Sequence, residues 1–141
     1  MAGAFICSIF IAINTYNVKD YINAKKERVQ EFMKMDITGS FHMLNLLKFK
    51  KQVGETGLSG KEQYQAYLKA AAPFIQSSGA KLIYMAETKH TIIGPDQKEW
   101  DKVLLVEYPS KEAFLNMVMD PDYPAHLRTL ALSDSRLILC Q

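Results

Sequence analysis

Apolar residues return at helical spacing over residues 18–35: Val18, Tyr21, Ile22, Val29, Phe32 and Met33, with Lys25, Lys26, Glu27, Arg28 and Glu31 between them. This predicts an amphipathic helix ended by Thr38-Gly39-Ser40. From Phe41 to Phe49 only His42, Asn45 and Lys48 are polar, which predicts a strand covered on both faces. The polar, glycine-bearing stretch from Lys50 to Gly60 reads as a loop. Ser59-Gly60-Lys61-Glu62 then has the capping-box pattern and opens a helix with Tyr64, Tyr67, Leu68, Ala71 and Ile75 on one stripe. Gly79 supplies its left-handed stop, and Pro73 inside it predicts a kink.

Lys81 to Ile93 is rich in β-formers and ends at Gly94-Pro95. With a turn over residues 95–99 and a strand from Trp100 to Tyr108, it predicts a hairpin. Pro109-Ser110 starts a helix with Ala113, Phe114, Met117 and Val118 inward, and Asp120-Pro121 stops it. Pro124 begins a short helical segment through Leu132, and Ser135 to Cys140 is the last strand. The order from residue 41 is strand, helix, strand, strand, helix, strand. That is the ferredoxin-like, split βαβ plan, an α+β fold with a four-stranded antiparallel sheet and two main helices on one face. Residues 1–40 are read as an N-terminal extension and residues 41–141 as the ferredoxin-like domain.

Two covering helices leave the other sheet face bare. Both faces carry apolar residues: Leu44 and Leu46 against Met43 and Leu47, Leu104 and Val106 against Val103 and Leu105. An open apolar face of several hundred Å² is unusual on a monomer. A second copy stacked sheet to sheet would bury it, so a homodimer is expected; cover by the chain's own N-terminal segment is the alternative.

The 141 residues suit one domain, and 48% hydrophobic with 23% charged is an ordinary globular balance. A net charge of +2 and no long basic run argue against nucleic acid. The apolar run Ala4 to Ile13 is too short to span a membrane and reads as strand or core rather than a signal peptide. Cys7 and Cys140 form no metal spacing; two reduced thiols in a cytoplasmic protein is the reading, and a disulfide requires the termini to meet.

Several stretches in order resemble the domain-of-unknown-function 1330 family, of the dimeric α/β-barrel superfamily. They are Met43-Leu44-Asn45-Leu46-Leu47-Lys48-Phe49, Tyr64-x-x-Tyr67, Ile93-Gly94-Pro95, Trp100 through Ser110, Ala125-His126-Leu127-Arg128, and Ser133 through Leu137. The resemblance covers most of residues 41–139. It implies the same fold and the same dimer, and no particular reaction. Superfamily relatives include cofactor-independent monooxygenases, lactone isomerases, haem-degrading enzymes and proteins with no known chemistry, so fold guides function weakly.

His42, His90 and His126 fit no zinc signature, and no phosphate loop or dinucleotide fingerprint is present, so no cofactor and no metal are expected. His126-x-Arg128 is the leading catalytic candidate: an imidazole to move protons and a guanidinium to hold an oxyanion. The plainer reading is a surface His beside an Arg paired to Asp122 or Asp134. Asn45 is costly mid-strand unless bonded, to a ligand carbonyl or to the protein. Tyr64 and Tyr67 offer phenols to a ligand or are core residues with wet hydroxyls. Asp101 reads as a base near a cavity mouth or a solvated strand-start residue. Lys48 completes the candidate binding set; Lys48 or Arg136 is also a cross-strand partner for Glu107. Met85, Met117, Met119 and Phe114 line a pocket or simply fill core. The expected function is small-molecule binding, with proton transfer next to a carbonyl or cofactor-free oxygenation as the enzymatic form. A non-catalytic dimeric module is the alternative.

Overall fold

The structure is a computed structural model, and it describes residues 21–141. The expectations for Ala4 to Ile13, for Val18 and for a Cys7–Cys140 disulfide therefore lie outside the described residues. Cys140 carries a free thiol.

The described chain runs α1 (Lys26–Lys34), β1 (Phe41–Phe49), α2 (Gly60–Ser77), β2 (Lys81–Glu87), β3 (Lys102–Tyr108), α3 (Lys111–Val118), α4 (Ala125–Ala131) and β4 (Leu132–Cys140). The four strands form one sheet in the order β2-β3-β1-β4, every neighbouring pair antiparallel. This is the α+β arrangement that the strand-helix order predicts, with helices leading from the two central strands, β1 and β3, out to the edge strands β2 and β4.

Alternation along β1 sorts the sheet into two faces. Phe41, Met43 and Leu47 are buried under the helices, and cross-strand pairing puts Leu104, Tyr108 and Ser135 on the same side. Phe41, Leu47 and Leu132 are fully enclosed, each contributing about 1.5–3 kcal/mol of transfer free energy. The core has two centres. Leu47, Tyr64, Tyr67, Ala71, Leu104, Ala131 and Leu132 form one, and Phe41, Met43, Tyr108, Phe114, Met117 and Val118 form the other. The opposite face carries half-buried Leu44, Leu46, Val103 and Leu105, with Tyr84 and Ile138 exposed.

Local signals act as their chemistry requires. Ser59 and Glu62 form the reciprocal capping box of α2, and Ser110 caps α3 by accepting from the Ala113 N–H. Gly79 ends α2 with φ of 75°. The helix runs past Pro73 to Ser77; Pro73 is exposed there, and its missing donor leaves the Lys69 carbonyl without a helical partner on the wet side.

Three expectations are corrected. The helix expected over residues 18–35 starts at Lys26 among the described residues: Tyr21 and Ile22, expected within it, precede it and are tied by backbone carbonyls to Ser135 and Arg128. The hairpin is looser than predicted. β2 stops at Glu87, and residues 88–101 form an excursion in which Ile92 and Ile93 are 84% and 94% exposed. Their β-branched shape favours a strand, but no neighbouring strand reaches them. The last strand begins at Leu132 rather than Ser135, directly after α4.

Candidate functional site

Helical spacing puts Tyr64 and Tyr67 of α2 on one inward stripe, their rings 5.2 Å apart. Tyr123, in the link between α3 and α4, brings its hydroxyl to 2.5 Å from that of Tyr67, and its ring meets Phe74 edge-on. Tyr108, the last residue of β3, is buried on the same side of the sheet. Four phenols therefore gather between sheet and helices.

Arg128 of α4 faces this cluster. One guanidinium N–H donates to the Ile22 carbonyl at 3.2 Å. Among the described residues no carboxylate lies within ion-pair distance of it. Burial pushes the phenols of Tyr123, Tyr64 and Tyr108 well above the ordinary tyrosine range, and the Arg128 charge pulls each of the three back down. The guanidinium thus borders the same space as the hydroxyls. These three tyrosines stay neutral.

Asn45 lies below, in the middle of β1. It sits in register with Leu104 on one side and Leu137 on the other, on the helix-covered face. Among the described residues its amide makes a single bond, donating to the Met43 carbonyl at the long distance of 3.5 Å. The rest of its hydrogen-bonding capacity is open.

Burial along β4 is uneven at this level. Along β4, Ser135 is buried beneath the segment at Tyr21 and Ile22, and Leu139 packs into the second core centre beside Phe32 and Ile37. Leu137, between them on the same face, is 45% exposed. Leu137 is thus the exposed position of edge strand β4 at the level of Asn45.

The structure does not gather all the predicted residues. His126 is exposed on α4, and two helical steps turn it roughly 200° away from Arg128. Neither Asp122 nor Asp134 pairs with Arg128. Asp134 holds Arg136 at 2.7 Å, and the Arg136 guanidinium is stacked between the Tyr21 and Trp100 rings. Asp101 closes the end of the sheet: its Oδ2 accepts from the Phe49 N–H at 2.8 Å, its Oδ1 faces Lys98, and its own N–H donates to Leu47. Lys48 is exposed on the opposite face of the sheet, in register with Asp134. Glu107 pairs with His42 at 3.4 Å, correcting the expected Lys48 or Arg136. Phe114 and Met117 are core, whereas Met85 is exposed on edge strand β2. Tyr108 and Tyr123 were not picked out from the sequence. Strand parity with Leu104 marks Tyr108; nothing local marks Tyr123, whose partner lies 56 residues away.

Among the described residues no group of His, Cys, Asp and Glu is placed to hold a metal ion, and no helix is long and apolar enough to cross a membrane.

Four phenols and one guanidinium gathered between an antiparallel sheet and its helices make up the candidate site of this α+β protein. The chain belongs to the family described as domain of unknown function (DUF1330), whose profile matches residues 53–139. It is similar to the crystal structure of RPA0582, a protein of unknown function from Rhodopseudomonas palustris. The two are 34% identical over 85% of this chain and 95% of that one, with a TM-score of 0.79. The methylated form of RPA0582 gives 33% identity over 88% and 96%, with a TM-score of 0.82. No curated protein matches the chain.

Proposed function

We propose that this protein is a cytoplasmic homodimer that binds a small organic anion in the cleft between its sheet and helices. The observation that carries the reading is Arg128: a half-buried guanidinium beside neutral phenols, without a carboxylate partner among the described residues. A cation held this way is costly unless an anion meets it. Asn45 supplies an amide beneath, and exposed Leu137 beside it marks the entrance. The homodimer reading rests on the open sheet face, where half-buried leucines and valines continue into exposed Tyr84 and Ile138.

In the enzymatic form of this reading, Arg128 holds an enolate or carboxylate oxygen and the Tyr67–Tyr123 pair donates a hydrogen bond to the carbonyl oxygen on which enolate charge would develop. The solvent-facing position of His126 favours the second reading, binding without turnover, because it takes the expected base away from the cleft. Deuterium exchange next to the carbonyl of a bound ligand, present or absent, separates the two.

The test of binding is thermal shift against a library of small carboxylates. A ligand at a hundred times its Kd stabilises the native state by about 2.7 kcal/mol. Arg128→Ala is expected to abolish the shift, while Tyr67→Phe, which keeps the charge, retains part of it. Equal shifts in the wild type and Arg128→Ala would remove Arg128 as the anchor.

A further inference from the structure

The cleft offers more than a cation. Tyr67 and Tyr123 hydrogen-bond to each other, so two hydroxyl protons serve one bond and a second O–H remains to be given away. Arg128 matches a carboxylate, since a guanidinium forks onto two oxygens. A plain carboxylic acid would satisfy Arg128 and leave the phenol donor unmet in a largely buried place. A plain ketone would satisfy the phenol and leave the charge unmet. Each mismatch costs a buried polar group its partner. The surroundings are apolar and aromatic, from Leu104, Leu137, Phe74 and the tyrosine rings.

We infer that the ligand is a small oxo acid with an apolar body, its carboxylate on Arg128 and its oxo or enol oxygen on the Tyr67–Tyr123 hydroxyl pair. This assignment rests on the anion-binding reading above and adds the second oxygen to it. Burial raises the Tyr123 phenol, so its O–H stays protonated across the whole physiological pH range.

Calorimetric titration of the whole chain with three probes tests it: phenylpyruvate, phenylpropanoate, which lacks only the oxo group, and phenylbutanone, which lacks the carboxylate. Phenylpyruvate is expected to bind at least about tenfold tighter than phenylpropanoate, with phenylbutanone weakest. The double variant Tyr67→Phe with Tyr123→Phe, which removes both hydroxyls, should bring phenylpyruvate down to the phenylpropanoate level and leave phenylpropanoate unchanged. Either single variant keeps one O–H free to donate and should retain part of the preference, which guards against the double variant failing to fold. Arg128→Lys should weaken both acids. Equal affinity for the two acids in the native chain would overturn the oxo-group assignment and leave the anion reading intact. Binding of neither acid would overturn both.

Discussion

Gly60 opens α2 where three chain segments meet. Its N–H donates to the Lys50 carbonyl, and the Lys50 N–H donates to the Ala131 carbonyl. A methyl group at Gly60 would press on the Lys50 carbonyl and lie 2.6 Å from the Ala131 oxygen and the Lys50 nitrogen, all backbone atoms. Gly60→Ala should therefore destabilise by about 1–3 kcal/mol or more, read as a fall in the urea midpoint, although alanine is the better helix former. An unchanged midpoint would show that the junction yields. The tyrosines make a second prediction at this scale. Tyr64, Tyr108 and Tyr123 have phenols raised by burial, so the folded state keeps protons that the unfolded chain gives up near pH 10. Their contribution is whole below about pH 10 and is lost as pH rises above it. Phenolate absorbance during alkaline titration should show these three ionising together with loss of structure. Ordinary titration of every tyrosine in a folded chain would contradict the burial.

Elements are held to one another by contacts that the sequence pattern does not display. Lys61 of α2 and Lys89 both bond to Glu87 at the end of β2 and hold its carboxyl down to about 2. A carboxylate lowered in the fold stabilises above its unfolded value, and that support disappears as pH falls from about 4.5 towards 2. The melting temperature of Lys61→Ala should lie below the wild type at neutral pH and converge with it in acid. A gap that persists at pH 2 would assign the loss to something other than this pair. The same distance problem governs what could be read in advance. β1 matches its expected range because its periodicity and the flanking Ser40 and Lys50 are local. Strand β2 ends before its β-forming composition does, because Thr91, Ile92 and Ile93 have strand chemistry and no neighbouring strand among the described residues. Within the cleft, Tyr67 and Arg128 were visible as residue types. Their convergence with Tyr123 and Tyr108 was not, because three separate links bring them together, and the helical turn between His126 and Arg128 carries the two side chains apart.

On the scale of the whole molecule, the sheet face opposite the helices is the surface on which the proposed assembly rests. Leu44, Leu105 and Ile138 lie side by side there, in register across three strands. If two copies stack on this face, Leu105→Lys places a charge in the middle of each surface and should give a monomer by sedimentation. A wild type that sediments as a monomer at micromolar concentration while folding cooperatively would instead assign the cover to the chain itself. The alternation between buried Leu104 and half-buried Leu105 shows how one strand serves two interiors, one inside the protomer and one proposed between copies.

The excursion over residues 88–101 divides the chain into a piece with β1 and β2 and a piece with β3 and β4. In the order β2-β3-β1-β4 these pieces alternate, so no strand lies beside another from its own half. Were the backbone severed at Gly94, neither fragment would hold a ladder of its own, and every sheet hydrogen bond of the reassembled protein would join one fragment to the other. The molecule is laced like interlocked fingers, and its sheet forms only once both hands are present.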